Sequence, residues 1–166
     1  MHMKTIITAL SLLLAISLAE AQSLEKILDR GFELYENGVF DQAIAQFEQA
    51  IKVDGTNPES YFLRGLSYLG QGETEKAAND LEKSIELNPE YVDALQQLGY
   101  IYLVSQAPDR AIVAFDKAIA LDPTNAEVYA NRGTAKCMKE DKEGAAADWE
   151  IAIALGIAYA ELMVCE

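Results

Sequence analysis

The chain has 166 residues, of which 51% are hydrophobic, and a formal net charge of −14 at pH 7. This length and composition suit one soluble domain with a continuous core and leave no room for a second sizeable one. The acidic balance argues against nucleic acid and anionic membrane surfaces as partners, because both reward a basic protein surface.

The first residues have the pattern of an export signal. Lys4 supplies a positive start, Ile6–Ala19 is an apolar run without a charge, and Ala19-Glu20-Ala21 has the small-x-small form of a cleavage site. We predict that residues 1–21 are a secretory signal peptide and that the mature protein, residues 22–166, is exported to the periplasm. An extracellular protein and an uncleaved membrane anchor are the alternatives, although the apolar run is shorter than the roughly 20 residues of a spanning helix.

A 34-residue self-similarity then runs four times, over Leu24–Asn57, Pro58–Tyr91, Val92–Asn125 and Ala126–Tyr159. Glycine occupies one column, alanine a second, a bulky residue a third and a small residue a fourth. These columns hold Gly31, Gly65, Gly99 and Gly133; Ala43, Ala77, Ala111 and Ala145; Phe47, Leu81, Phe115 and Trp149; Ala50, Ser84, Ala118 and Ala152. A period of 34 with small residues at fixed columns indicates stacked helical hairpins.

Helix breakers divide each period into an A helix and a B helix. Asn57-Pro58 places a capping residue before a proline at the first helical position, and similar pairs stand at later boundaries, Asn88-Pro89 and Asp122-Pro123. The turn inside the first two repeats contains Gly38 or Gly72, the residue that supplies a left-handed helix end. The third and fourth repeats carry Gln106 and Glu140 at this column, so their turns must close without glycine.

The periodicity inside the helices predicts an all-α fold. Apolar residues recur at helical spacing, as in Ala43, Ile44, Phe47, Ala50 and Ile51, and no stretch shows the sustained alternation of a strand. We predict an α-solenoid of four helix-turn-helix repeats with eight helices, followed by a short C-terminal capping helix over residues 160–166.

The same columns, with Tyr68 and Tyr102 three residues after the glycine, resemble the tetratricopeptide repeat. The resemblance covers Leu24–Tyr159 and implies that glycine and alanine let helices A and B approach closely. It also implies that the bulky column fills space against the neighbouring repeat. The pattern from Gly144 to Cys165 is similar to the last repeat of exported bacterial members of this family. It favours a bacterial envelope protein.

The resemblance implies a concave groove, lined by A helices, that holds a peptide or helix of a partner protein. Carrying the groove columns onto this sequence gives the predicted site residues Phe32, Tyr35, Phe62, Leu66, Gln97, Tyr100, Asn131, Thr134 and Met138, with Leu69, Leu103 and Cys137 in the same columns. We favour partner contacts for Tyr35, Phe62 and Tyr100. Core packing is an equal alternative for the leucines, and water an equal partner for the two amides.

Acidic residues recur near the start of the A helices and should rim this groove, namely Glu25, Asp29, Glu59, Asp93 and Glu127. We therefore expect a partner segment that is apolar with basic flanks. The predicted function is a non-catalytic protein–protein interaction scaffold of the cell envelope. The alternative is a structural, self-assembling homo-oligomer that associates through the apolar tail after Ile157, which could instead fold back as a cap.

Catalysis is not predicted. The one histidine, His2, lies in the predicted signal peptide, so the mature chain has no imidazole for acid–base work or zinc binding. No phosphate loop, metal-ligand spacing or calcium loop is present, and no carboxylate pair is marked out as a hydrolytic pair. We expect no cofactor and no metal.

The two cysteines, Cys137 and Cys165, lie in adjacent predicted hairpins. They could pair in an oxidising compartment. Helix pitch places them at different heights, whereas a bridge needs Cα atoms within about 7 Å. We therefore expect partly buried free thiols.

Overall fold

Helices form the secondary structure of the part of the chain that the structure describes. The computed structural model describes residues 23–158 and Cys165. In chain order its helices are α1 (23–36), α2 (Phe40–Val53), α3 (Pro58–Gly70), α4 (Thr74–Leu87), α5 (Val92–Val104), α6 (Pro108–Leu121), α7 (Ala126–Met138) and α8 (Lys142–Ala154). The described residues contain these eight helices and no strand, which confirms the predicted all-α solenoid. The predicted signal peptide, 1–21, and the capping helix, 160–166, lie outside the described residues apart from Cys165.

Contacts between Cα atoms divide the chain into two units, Met1–Ala77 and Ala78–Glu166, with the division inside α4. In the first unit α2 packs against α3, and in the second α5 packs on α6, α6 on α7 and α7 on α8. Consecutive helices therefore form the pairs expected of stacked hairpins. Within the described residues, no helix combines the length and the apolar character needed to cross a membrane.

In three of the hairpins, a large ring lies on a glycine. A Cβ atom added at Gly31 would lie 2.5 Å from Cε1 of Phe47, and one added at Gly99 would lie 2.5 Å from Cε1 of Phe115. These separations confirm that the glycine column permits close approach of helices A and B. Phe47 also shares a buried cluster with Leu63 of the next repeat, so its ring fills the gap inside its own hairpin as well as space against the neighbour.

The fourth repeat uses a tryptophan for the same contact. A Cβ atom at Gly133 would lie 2.5 Å from Nε1 of Trp149. The indole N–H donates to the carbonyl oxygen of Ala130 at 3.1 Å, which satisfies the one polar group of the buried ring. The larger ring therefore closes this hairpin without leaving a buried donor unpaired.

The turns inside the repeats all use a left-handed residue. Gly38 and Gly72 have φ of 72° and 78°, while Gln106 and Glu140 at the same column have φ of 59° and 64°. The prediction that the last two repeats close without glycine is confirmed. A left-handed conformation costs a residue with a Cβ atom roughly 1–2 kcal/mol, which packing of the adjoining helices must offset.

One proline boundary behaves as predicted and two do not. The Asn57 side chain accepts a hydrogen bond from the Ser60 backbone N–H at 2.8 Å, and Pro58 is the first residue of α3. Pro89 and Pro123 instead lie in the turns that precede α5 and α7, so neither takes the first helical position. The fixed φ of proline suits a turn position as well as a helix start, so the sequence pair alone did not distinguish them.

Aspartate turns connect the first repeat to the second and the third to the fourth, which the sequence did not lead us to expect. Asp54 Oδ1 accepts hydrogen bonds from the Thr56 hydroxyl at 2.7 Å and from its backbone N–H at 2.8 Å. Asp122 accepts the same pair from Thr124 at 2.7 and 2.9 Å. The hydroxyl bond first, and then the backbone bond, lower the pKa of each carboxyl. In the fourth repeat this column holds Gly156, so no aspartate turn can form at the end of the repeats.

Cys137 and Cys165 form a disulfide, which corrects the expectation of free thiols. Their Cα atoms are 5.5 Å apart, within the range that a bridge needs. The expectation assumed that the chain after α8 continues at the helix pitch. Instead Gly156, with φ of 107°, ends α8, and the N–H of Ile157 donates to the carbonyl of Ala152 at 3.0 Å. The chain leaves the axis of α8 at this point.

A buried carboxylate joins α7 to α8. Asp148 is 2% exposed and receives two hydrogen bonds from the Arg132 guanidinium, at 2.8 and 2.7 Å, and an ion pair from Lys136 at 2.9 Å. Arg132 also bonds Asp116 of α6 at 2.6 Å. The Asp148 hydrogen bonds are the largest cause that raises the pKa of Arg132 above its ordinary range. This network fixes α7 between its two neighbours.

We expect Gly99→Ala to lower the free energy of unfolding by about 1–3 kcal/mol, because the new methyl group forces Phe115 and the helix pair apart. The measurement is equilibrium urea unfolding followed by circular dichroism. Gly55→Ala is the matched control, since the nearest atom to its Cβ would be the Ile51 carbonyl oxygen at 3.5 Å. Equal losses in the two variants would contradict the close-approach role of the glycine column.

Asp148→Ala should cost about 3–5 kcal/mol, because it leaves Arg132 and Lys136 without their buried counter-charge. Glu33→Ala, which breaks an exposed ion pair with Arg30, should cost no more than about 0.5 kcal/mol. Thermal and urea unfolding of both variants test the difference. A small loss for Asp148→Ala would show that the network contributes little to the stability of the fourth repeat.

Candidate protein-binding surfaces

In the first unit, one predicted site residue is an accessible aromatic anchor. Phe32 of α1 is 42% exposed, and its ring stacks at 6.1 Å on that of Tyr35. It borders a cleft of about 200 Å³ lined by Leu28, Asp29, Phe32, Glu59 and Leu63. An apolar ring beside two carboxylates suits a ligand group that is apolar and flanked by positive charge.

The other site residues of this unit also serve the core. Tyr35, Phe62 and Leu66 are half-buried and pack against a cluster of Leu28, Ala43, Phe47, Ala50 and Leu63. Tyr35 additionally meets the ring of Phe40 at 5.9 Å. Substitution at any of the three would therefore disturb packing as well as a surface, which makes Phe32 the informative position in this unit.

The second unit gathers three predicted site residues around one cleft. Gln97 and Tyr100 of α5 and Asn131 of α7 line a space of about 300 Å³ together with Gln96 and Glu127. Tyr100 is 48% exposed. Two helices that are not consecutive in the chain thus place an aromatic ring, amides and a carboxylate along one groove.

The amides of this cleft differ in how far they are satisfied. Gln96 donates to Glu127 at 3.1 Å and accepts from Asn125 at 2.8 Å. The side chains of Gln97 and Asn131 are half-buried and make no hydrogen bond to the part of the chain that the structure describes. Each amide can donate and accept, so the pair can bond the backbone of an extended peptide.

Thr134 and Met138 lie farther along α7. Thr134 is half-buried and its hydroxyl donates to the carbonyl of Ala130 at 3.0 Å, so this donor is already used within the helix. Met138 is exposed and offers an adaptable apolar contact. Cys137 between them is committed to the disulfide.

A larger cleft lies away from the predicted groove residues and was not anticipated. It measures about 450 Å³ within the second unit, and its lining includes Glu82, Leu98, Tyr102, Arg110 and Val113. The Tyr102 hydroxyl donates to Glu82 at 2.5 Å, and the Arg110 guanidinium lies 3.9 Å from the Tyr102 ring centroid and bonds Glu82 at 2.9 Å. These three groups satisfy one another and close the polar end of the cleft.

Burial, then the bond to Glu82, raises the pKa of Tyr102 to about 12, so the phenol remains a hydrogen-bond donor even in alkaline solution above its ordinary pKa of 10. In the sequence, Tyr102 is recognisable only as one position of the repeat pattern. A carboxylate, a tyrosine and an arginine on three successive helices are the only sequence signal that could have indicated this cluster. Their contact follows from stacking and not from spacing in the sequence.

The described residues contain no group of three or more His, Cys, Asp or Glu side chains placed to hold a metal ion. Both clefts with predicted site residues are lined by carboxylates, amides and aromatic or aliphatic groups. Such surfaces can contact a peptide, and their lining residues offer no arranged nucleophile and base within hydrogen-bonding reach.

Comparison with known proteins agrees with the repeat pattern. A family model described as TPR repeat matches residues 31–72, and two described as tetratricopeptide repeat match residues 62–126 and 114–147. No curated protein sequence matches the chain.

Several solved structures are similar to this chain. A crystal structure of MamA has a TM-score of 0.77 and 26% sequence identity, over 89% of this chain and 86% of that one. MamA from Desulfovibrio magneticus RS-1, residues 41 to the end, has a TM-score of 0.75 and 18% identity over 80% and 75% of the two chains. A thermophilic TPR protein of Thermus thermophilus has a TM-score of 0.67 and 22% identity over 80% and 74%. At 18% and 22% identity, the last two structures show only that the fold is shared.

Proposed function

Since the chain is a tetratricopeptide repeat protein, we propose that it is a non-catalytic scaffold of the bacterial cell envelope that binds a partner protein through its A helices. The observation that carries this proposal is the cleft between α5 and α7. There the amides of Gln97 and Asn131 make no hydrogen bond to described residues, and the Tyr100 ring is exposed beside them.

The chemistry of the clefts indicates the class of partner segment. The two amides suit the backbone of an extended segment, and the rings of Phe32 and Tyr100 suit apolar side chains. Asp29, Glu59 and Glu127 line the same clefts, and the chain carries a net charge of −14. A segment with apolar anchors and basic flanks is therefore the best match, and its binding should weaken as salt screens the charges.

Two features support an exported, non-catalytic protein. The disulfide between Cys137 and Cys165 suits an oxidising compartment, since reducing compartments keep thiols free. Residues 22–166 contain no histidine, which removes the commonest general base. Export itself rests on the sequence pattern of residues 1–21.

A homo-oligomeric, structural role is the second candidate. Ile151 of α8 and Leu155, the residue directly after that helix, are large apolar side chains exposed near the end of the repeats. They would lie in a contact between copies if the protein assembles there. Light scattering on the purified chain separates this role from a monomeric scaffold.

Export predicts that the protein purified from the envelope fraction of its source begins at Gln22. N-terminal sequencing or intact mass measurement tests this. Replacing Ala19 and Ala21 by larger residues should block processing, because the cleavage site requires small residues. A full-length chain in the soluble cytosolic fraction would contradict the proposed location.

For binding, we expect the double variant Phe32→Ser, Tyr100→Ser to lose at least about tenfold in affinity for the physiological partner, because exposed aromatic anchors carry much of the binding energy. The partner is captured by the tagged mature chain from native envelope extract, identified by mass spectrometry and titrated by calorimetry. Circular dichroism confirms that the variants are folded.

The matched control is Val53→Ser, Val104→Ser. It removes one exposed apolar side chain from each unit outside the groove columns, and the exposed fractions, 43% and 53%, are close to those of Phe32 and Tyr100. The control should retain the partner. Equal retention by both double variants would move the binding site away from the A-helix clefts and refute the proposed surfaces.

A further inference from the structure

The cleft of about 450 Å³ in the second unit has the size and the lining of a small-molecule pocket. Its lining includes the buried side chains of Leu95, Leu98 and Ala114, the half-buried Ile85 of α4 and the exposed Val113 of α6. Ligand pockets in proteins typically measure about 300–1,000 Å³ and have a mostly apolar lining with a few polar groups. The cleft therefore suits a ligand whose body is apolar.

This cleft lies on another side of α5 from the cleft that contains Tyr100. Leu95, Leu98 and Tyr102 recur at the spacing of one helix face and line the larger cleft. Gln97 and Tyr100 occupy the other side of the same helix and line the cleft proposed for the partner protein. A ligand in the larger cleft would therefore use different side chains from those of the partner.

The charged groups of the larger cleft differ in whether they already have a counter-charge. Arg110 and Glu82 bond each other at 2.9 Å, and Asp109 forms an ion pair with Lys139. Lys117 is exposed and makes no hydrogen bond or ion pair to the part of the chain that the structure describes. The lining thus offers one ammonium group to a ligand, in a chain whose net charge is −14.

The cations are placed along one face of α6. Arg110, Val113 and Lys117 recur at i, i+3 and i+7, and all three line the cleft. Seven residues of helix span about 10 Å, since each residue rises 1.5 Å. The cleft therefore has a polar end at Arg110, an apolar middle and a second cation about 10 Å away. An apolar chain of this length that ends in an anion fits these positions.

We propose that this cleft is a binding site for a small amphipathic carboxylate, whose apolar chain lies against Leu98 and Val113 and whose charged group pairs with Lys117. A ligand of the same shape with a positive charge would be repelled by the ammonium group. Elsewhere the net charge of −14 attracts cations. Preference for the anionic ligand therefore distinguishes this site from unspecific adsorption to the surface.

The test is calorimetric titration of the purified protein at pH 7 with decanoate, kept below its micelle concentration. We expect saturable binding at one site. Decyltrimethylammonium, which carries the same apolar chain and the opposite charge, should bind at least about tenfold more weakly, because it loses the ion pair and meets repulsion. Acetate, which lacks the apolar chain, should not bind measurably.

Two pairs of variants locate the site. Lys117→Gln should weaken decanoate binding by about fivefold, as expected for an exposed ion pair, whereas Lys52→Gln removes the same charge from α2 and should have no effect. Val113→Glu should weaken it by more than about tenfold, because it places a carboxylate in the apolar middle. Val104→Glu makes the same change at an exposed valine outside the cleft and should bind normally. Circular dichroism confirms that all four variants are folded.

Four outcomes would overturn the proposal. They are no saturable decanoate binding, equal or tighter binding of the cationic amphiphile, equal effects of the two glutamate variants, and loss of decanoate binding in Phe32→Ser, Tyr100→Ser. The last would place the ligand in the A-helix clefts. Binding of the partner protein has its own readout in capture from envelope extract, so failure of either proposal leaves the other standing.

Discussion

The contact between a ring and a glycine inside the hairpin is the constraint on which the remaining packing depends. Phe47, Phe115 and Trp149 each occupy the space that a side chain on the facing A helix would need. The A helix is thereby drawn onto its B helix, and its opposite face becomes available either to the neighbouring A helix or to a ligand. In these three hairpins the contact therefore fixes one side of the A helix.

The distribution of cations follows from the same packing. Arg110, Arg132, Lys136 and Lys139 each pair with a carboxylate of the second unit, and Asp148 is buried against two of these cations. These four cations form ion pairs within the chain, whereas the carboxylate of Glu127 lines the cleft beside Tyr100. A chain of net charge −14 in which these cations pair with its own carboxylates presents an acidic surface, which the basic flank proposed for the partner segment would complement.

The helices were predictable because the 34-residue period repeats local signals that agree with one another. Three A helices begin at the predicted repeat starts, Pro58, Val92 and Ala126. Accessibility within the groove columns was not predictable in this way. Phe32 is exposed while Phe62, another predicted groove residue, packs on the core, because its surroundings come from residues distant in sequence. The cluster of Tyr102, Glu82 and Arg110 needs three helices to be in register, which spacing alone does not give.

The disulfide escaped prediction for a related reason and ties the fold to the compartment. A helix continued at regular pitch would separate Cys137 from Cys165. Gly156 instead occupies the position that holds an aspartate turn at two earlier boundaries, and its left-handed conformation ends α8 there. An array of helical hairpins must cover the apolar side of its last member. Ile157 and Cys165 pack on the cluster of this last hairpin, and the disulfide that holds Cys165 there persists only where thiols are oxidised. The disulfide and the export proposed above therefore require the same condition, since a reducing compartment would not preserve the bond.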